Sequence, residues 1–241
     1  MTQLHVRAEP GAIAPVVLLP GDPDRATLIA ETLFDGAKLY NTNRHLLGYT
    51  GSYRGVPVSV QTTGMGCPSL AIVVEEIIKL GARQLIRIGT CGAVAGQVAP
   101  GDLVVATASV ANEGTSRQYL AGKPHASVAD FTVTRALEDA ATRSGRKVHV
   151  GLIQTEDAFY ATSPADVPAM AARGVLAIEM EASALFTLGA LRQVSTGCML
   201  VTSNNIGDDR LIRPEDLKAA VIDMVRATLE AVVALRSSAP S

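Results

Sequence analysis

Residues 56–93 read VPVSVQTTGMGCPSLAIVVEEIIKLGARQLIRIGTCGA. Val56–Gln61 alternates apolar and polar positions and runs into Thr-Thr-Gly, which predicts a strand closed by a turn. Ser69–Leu80 has helical spacing, with Ser69 as its expected cap, Gly81 as its stop and Glu75 and Lys79 one turn apart on one face. Leu85–Gly89 is a second apolar strand. Strand, glycine loop, helix and strand in succession predict an α/β layered fold.

The same alternation extends outward in both directions. Upstream, Val16–Leu19 is a buried strand that breaks into Pro-Gly-Asp-Pro, where Asp22 can cap a helix with Pro23 at its first position. Downstream, strands are predicted at Leu103–Ser109, Val148–Gln154, Val175–Ile178 and Cys198–Thr202. Helices are predicted at Val133–Arg143 and Ala182–Arg192, with a long amphipathic one at Glu215–Leu235. The strand-rich middle predicts a mixed sheet rather than a purely parallel one. No repeat, low-complexity segment or linker divides the chain, so one domain over 1–241 is expected.

Composition narrows the function classes. Lys and Arg total 21 against 23 Asp and Glu, a formal net charge of −2, so nothing points to nucleic acid or anionic lipid as partner. Hydrophobic residues make up 48% of 241, enough to bury a sizeable core and exclude wholesale disorder. Aromatic residues are 4%, without tryptophan, which argues against a base-stacking surface. Cys67, Cys91 and Cys198 are few, odd in number and scattered, unlike a disulfide framework or zinc site. The four histidines, His5, His45, His125 and His149, form no metal-binding pattern, so no metal is expected. The N-terminal stretch lacks a signal-peptide core and no apolar run reaches ~18 residues, so a cytoplasmic protein off the membrane is expected.

Four stretches could carry chemistry. Leu19–Arg25 ends a strand and opens a helix, where backbone N–H groups and Arg25 suit an anion; a capped helix with a surface Arg reads equally from these residues. In Ile86–Ala93, Arg87 lies opposite Ile86 and Ile88. If that strand is central, Arg87 is buried and needs an anionic partner, either phosphate or a structural carboxylate. Thr90 and the glycines after it stand where a ligand would approach a strand end. In Ile178–Ser183, Glu179 and Glu181 could accept a vicinal diol, could suggest glycosidase chemistry, or could open a helix. Gly64–Ser69 half-matches a dinucleotide fingerprint but has Ser69 in place of the third glycine. Cys91 has no adjacent base and reads as a packed thiol. Phe159 and Tyr160 offer aromatic faces, to the core or to a planar base.

The order of motifs says more than any one of them. LLPGDPDR, NRHLLGYTG, TTGMGCPS, IRIGTCGA, EDAFY, IEMEAS and TSNNIGD follow one another from His5 to about Asp209. Together they resemble the nucleoside phosphorylase family shared by bacterial hexameric purine nucleoside phosphorylases and uridine phosphorylases. The resemblance implies a three-layer α/β fold whose mixed central sheet closes partly into a barrel flanked by helices. It implies phosphorolysis of a nucleoside to free base and ribose 1-phosphate, with phosphate as co-substrate and no other cofactor; a purine nucleoside and a place in purine salvage lead, with a uridine or broad-specificity phosphorylase and a non-catalytic nucleoside-binding protein as the other readings. By position, Gly21, Arg25, Arg87 and Thr90 would hold phosphate, with Arg44 reaching in from a neighbouring subunit. His5, also from the neighbour, would meet the ribose 5′-hydroxyl. Met65 and Met180 would pack on the sugar, and Glu181 would take its 2′- and 3′-hydroxyls. Phe159 would stack on the base, with Cys91, Gly92, Ile178, Glu179, Ser203 and Asn204 around it. A dimer-based homo-oligomer is implied, a hexamer built as a trimer of dimers.

The chain departs from the pattern at the leaving group. Asn204 stands where the broad-specificity purine enzymes carry an Asp as general acid, and Leu217 replaces an Arg thought to assist it. Arg210 and Arg213 lie near enough in sequence to substitute. The stretch after Tyr160, ATSPADVP, lacks the Gln-x-Arg pattern that reads uracil, whereas Gly101–Leu120 is similar to uridine phosphorylases. With a carboxamide at 204, 6-oxopurine nucleosides are expected to be cleaved better than adenosine.

Overall fold

The computed structural model describes residues 3–208 and 211–237. In chain order its first half runs β1 (Val16–Leu19), α1 (Pro23–Leu33), β2 (Asp35–Asn41), β3 (Gly48–Tyr53), β4 (Val56–Gln61), α2 (Cys67–Lys79), β5 (Gln84–Ala93) and β6 (Leu103–Asn112). The second half runs α3 (Gly114–Tyr119), β7 (Ser127–Val128), α4 (Phe131–Thr142), β8 (Val148–Glu156), α5 (Val167–Ala172), β9 (Ala177–Glu179), α6 (Ala182–Arg192), β10 (Ser195–Asn205) and α7 (Pro214–Ser237).

The strands pair in the order β10-β6-β8-β9-β5-β1-β4-β3-β2, with β7 on β6. Because β10 also pairs with β5, the first five strands of that path close into a mixed barrel, and β1, β4, β3 and β2 extend from it as an outer wing. β5 is the strand common to both. Its first half pairs with β1 from Val16↔Gln84 to Leu19↔Arg87, and its last residues pair with β9 at Gly92↔Ile178. The sheet therefore forks along β5 between Arg87 and Gly92.

Alternation along the strands builds the layers. Val17, Leu19 and Leu85 face one buried cluster with α2 and α6; Val16, Leu18, Ile86 and Ile88 face another with α1, α4 and α7. Each fully buried Leu, Ile or Val contributes roughly 1.5–3 kcal/mol. α6 is buried from Ala182 to Gly189, so it reads as apolar on every side.

Several sequence expectations meet these bounds: β1, β4 and α6 fall where alternation and spacing put them, and Asp22 caps α1 by accepting from Asp24 N–H at 2.9 Å. Others are corrected. β5 runs on to Ala93, so Thr90–Ala93 is strand rather than a glycine turn; the backbone there is held by β10 on one side and β9 on the other. α2 starts at Cys67 after Gly66, and Ser69 turns its hydroxyl back to Thr63 O at 2.6 Å instead of capping. Glu75 meets Arg192 of α6 at 2.6 Å rather than Lys79. Strands β2 and β3 and helices α3 and α5 were not legible in the sequence.

Candidate active site

β1, β4 and β10 all run parallel to the β5 direction, so their carboxyl ends share one edge of the sheet. Ligands in open α/β sheets lie outside such an edge, where strand order switches. The loop after β1 and the loop after β4 are locked side by side there: Thr63 N–H donates to Pro20 O at 2.9 Å. A Cβ on Gly21 would sit 3.0 Å from Gly64 O, so the approach of the two loops needs glycine at 21.

At the fork, Arg87 is buried and doubly paired. Its Nε donates to Glu179 Oε2 at 2.7 Å, and its Nη2 meets Glu181 Oε2 at 2.5 Å. The guanidinium lies back over its own strand, where a Cβ on Gly89 would stand 2.9 Å from Nη2. Burial alone would lower the Arg87 pKa, but Glu181 and Glu179 more than offset it and hold it above its usual range.

The two carboxylates differ in what satisfies them. Glu179 accepts from Arg87, from Thr155 Oγ1 at 2.5 Å, from Glu181 N–H at 2.8 Å and from Ala182 N–H at 3.0 Å, which seats it at the start of α6. Glu181 accepts from Arg87 and from Gly66 N–H at 2.5 Å. Burial, with Glu179 adding to it and Arg87 opposing, pushes the Glu181 carboxyl up. Glu181 is thus a buried acceptor with lone pairs to spare beside the Gly64–Gly66 loop.

Arg25, in the first turn of α1, is half-buried and makes no hydrogen bond or ion pair among the described residues. Burial lowers its pKa, and the nearby positive charge of Arg87 lowers it further, against Asp22. Two neighbouring guanidiniums, one without a hydrogen bond or ion pair among the described residues, raise a local positive potential that favours an anion. A cavity of about 480 Å³ beside it runs between α1 and the start of α7, lined by Asp22, Arg25, Thr27, Pro214, Leu217 and Val221.

Beyond the fork, β5 and β10 end side by side in a mixture of apolar and amide side chains. Register shifts between Thr202 and Asn204, and Ser203 Oγ lies 3.2 Å from Cys91 O and 2.9 Å from Asn204 Oδ1, either of which can accept its one proton. Gly92 sits against Ile206, whose Cδ1 would lie 2.4 Å from a Cβ there, and pairs with Ile178. Cys91 turns its thiol inward, and burial pushes it up to about 12, so it is a packed thiol. Thr90 is half-buried on β5 opposite Val201. Met180 is half-buried, and Met65 is exposed at the mouth of its loop. Phe159 and Tyr160 are exposed after β8 and meet edge to face with centroids 5.0 Å apart.

His5 and Arg44 are joined to none of these groups by hydrogen bond or ion pair among the described residues. Asn43, the residue before Arg44, links the two segments. Arg44 is exposed on the 3₁₀ turn Asn43–His45 with φ 55°, and Asn43 Nδ2 donates to His5 O at 3.0 Å. The His5 ring meets Glu76 of α2 at 2.7 Å. Arg213 pairs with Asp216 at 2.7 Å on the surface, and Arg210 lies outside the described residues.

Glu76, Gly89, Asn43, Thr155 and Ile206 were given no role from the sequence. Glu76 carries a signal in retrospect: a carboxylate on the apolar stripe of an otherwise hydrophobic helix needs a partner. Cys67, Glu113 and Asp157 also come within 4.8 Å of one another, but each is engaged by protein groups: Met180 O, Ser116 N–H and Gly114 N–H respectively.

Residues 15–235 match the model of the phosphorylase superfamily. Among curated proteins, the "Purine nucleoside phosphorylase DeoD-type" of Bacillus cereus is 39% identical over 231 residues, 95% of this chain and 98% of the relative. The proteins of that name from Bacillus cytotoxicus and Bacillus thuringiensis match at the same identity and coverage. No helix among the described residues is long and apolar enough to cross a membrane.

Proposed function

The chain belongs to the phosphorylase superfamily, and from that premise we propose that it is a purine nucleoside phosphorylase acting on 6-oxopurine nucleosides. It splits inosine and guanosine, and their deoxy forms, reversibly into base and (deoxy)ribose 1-phosphate. The observation that carries this reading is the unpaired Arg25 beside the Arg87–Glu181 pair at the fork of the sheet. An anion site and a diol acceptor sharing one arginine are what the two halves of the reaction need.

Phosphate is held by Gly21, Arg25, Arg87 and Thr90, with Arg44 of a neighbouring subunit. One of its oxygens attacks C1′ while the bond to the purine breaks, and binding does the work of alignment. Positive charge grows on the ribose and is stabilised by phosphate and by Glu181, which accepts the 2′- and 3′-hydroxyls. Met65 and Met180 pack on the sugar, and His5 of the neighbour takes the 5′-hydroxyl. Phe159 covers the base, and Cys91, Gly92, Ile178, Glu179, Ser203 and Asn204 surround it. Of these, Glu179 acts through Arg87 and α6 rather than on the base, since its carboxylate is already bonded four ways. The functional unit is one domain over residues 1–241 in a dimer-based hexamer, working in the cytoplasm with phosphate as co-substrate and no other cofactor.

Asn204 sets the base preference. Adenine leaves best when N7 is protonated, and a carboxamide has no proton to give near neutral pH. A 6-oxopurine spreads the charge onto O6, where a neutral N–H donor suffices. General acid catalysis is typically worth ~10²–10⁴-fold, so adenosine should lag inosine and guanosine by a large part of that range. The test is base release from inosine, guanosine, adenosine and uridine with and without phosphate, on the wild type and Asn204→Asp. Phosphate-dependent release, faster on the 6-oxopurines, with adenosine selectively improved by Asn204→Asp, is the expected result. Equal rates without phosphate would sink phosphorolysis, and uridine as best substrate would sink the purine assignment.

A further inference from the structure

The N-terminal segment is fastened to α2 through one carboxylate. Glu76 Oε2 accepts from Val6 N–H at 2.7 Å and from His5 N–H at 2.9 Å, while Oε1 meets His5 Nδ1 at 2.7 Å. Glu76 is 7% exposed. Burial pushes its carboxyl up, but the Val6 N–H, the His5 ring and the His5 N–H together outweigh burial and hold it below the usual carboxylate range. It is therefore ionised near neutral pH, and an ionised carboxylate only accepts hydrogen bonds. Nδ1 of His5 must then carry a proton, and in the neutral form of the ring Nε2 is left with a lone pair. The side chain is itself 26% exposed, so the ring is open to a ligand. The segment is pinned from its other side by Asn43, whose Nδ2 donates to His5 O at 3.0 Å and Leu4 O at 3.3 Å.

We propose that Glu76 is a positioning residue for sugar recognition, fixing His5 as the Nδ1–H tautomer so that Nε2 accepts the 5′-hydroxyl of a nucleoside in the neighbouring subunit. This rests on the reading of His5 as the neighbour's ribose contact. Its consequence is a chemical selectivity rather than a steric one. A bare Nε2 needs a donor. A 5′-hydroxyl supplies one, a 5′-deoxy sugar supplies nothing, and a 5′-O-methyl sugar sets a second acceptor against the first.

The test compares wild type, His5→Ala, Glu76→Ala and Glu76→Gln on inosine, 5′-deoxyinosine and 5′-O-methylinosine. The wild type is expected to favour inosine over 5′-deoxyinosine by roughly tenfold in kcat/KM, mostly through KM, the size of one hydrogen bond. His5→Ala and Glu76→Ala should both erase most of that preference. Glu76→Gln keeps an acceptor for the Val6 and His5 N–H groups, and so the segment, but turns an amide N–H toward Nδ1. It should invert the tautomer, which ¹⁵N shifts of the His5 ring report, and narrow the gap between inosine and 5′-O-methylinosine because Nε2 becomes a donor. If His5→Ala erases the preference while Glu76→Ala or Glu76→Gln leaves both preference and tautomer as in the wild type, the positioning role is wrong. If His5→Ala leaves the preference intact, the ribose role of His5 falls, and the proposal with it. Should Glu76→Ala fail to fold, the Glu76→Gln tautomer and its 5′-O-methylinosine ratio decide alone.

Discussion

Arg87 and Arg25 flank the same strand ends but answer to different forces. Arg87 neutralises two buried carboxylates, Glu179 and Glu181. Its removal leaves them facing each other uncompensated, a loss of about 3–5 kcal/mol. Arg25 makes no hydrogen bond or ion pair among the described residues and feels only the nearby charge of Asp22 in its favour. Arg87→Ala is therefore expected to lower both the melting temperature and phosphate use. Arg25→Ala should leave stability within about 0.5 kcal/mol of wild type. Its KM for phosphate should rise by about 10- to 100-fold, the worth of a hydrogen bond to a charged group. Melting curves and phosphate titrations of the two variants check this; a destabilised Arg25→Ala would mean that its charge is paired after all.

At the scale of elements, the join between the N-terminal segment and α2 makes an acid-sensitive seam. Glu76 is held below its ordinary carboxylate value of 4.5 in the folded chain. A depressed carboxyl adds stability above its unfolded value, and that stability drains away as pH falls from there through the folded value. Urea midpoints measured from neutral pH down through 4.5 should fall for the wild type, and fall less steeply for Glu76→Gln. An unchanged acid slope would place the seam elsewhere. The same join shows what the sequence could and could not tell. An apolar run made β1 readable, alternation made β4 readable, and a capping Asp22 before Pro23 made the start of α1 readable, because one local rule decides each. β2 reads DGAKLYN, a polar edge with five exposed residues in succession, so no apolar period marks it. The reach of β5 to Ala93 was hidden too, since its glycines look like a turn until β9 and β10 supply backbone partners from far along the chain. Among site residues, Arg87 was recognisable as a buried charge in search of a partner, and Glu179 and Glu181 as a pair of acids. That those acids are its partners depends on β9 folding back antiparallel to β5, which no local pattern encodes.

At the scale of the molecule, the described residues join neither His5 nor Arg44 by hydrogen bond or ion pair to the groups at the fork. If His5 and Arg44 serve a neighbour, two defective chains should repair each other. Arg87→Ala lacks its own phosphate ligand and Arg44→Ala lacks the one it lends. Co-refolded in equal amounts, they should form complete sites at about a quarter of positions. Activity is expected to rise well above either parent, in a particle that light scattering sizes as dimer-based. Additive activity on mixing would confine each site to one chain. The fork has a further consequence for how the molecule is made. β5 leaves the ribosome well before β10, whose Ser195 pairs with Gln84, and Arg87 waits for Glu179 over 92 residues of synthesis. Until then the nascent chain offers an unsatisfied strand edge and an uncompensated cation, both of which invite wrong partners. The arrival of β9 and β10 quenches both, so the last strands to be translated close the barrel and pair its buried cation before α7 covers the second core cluster.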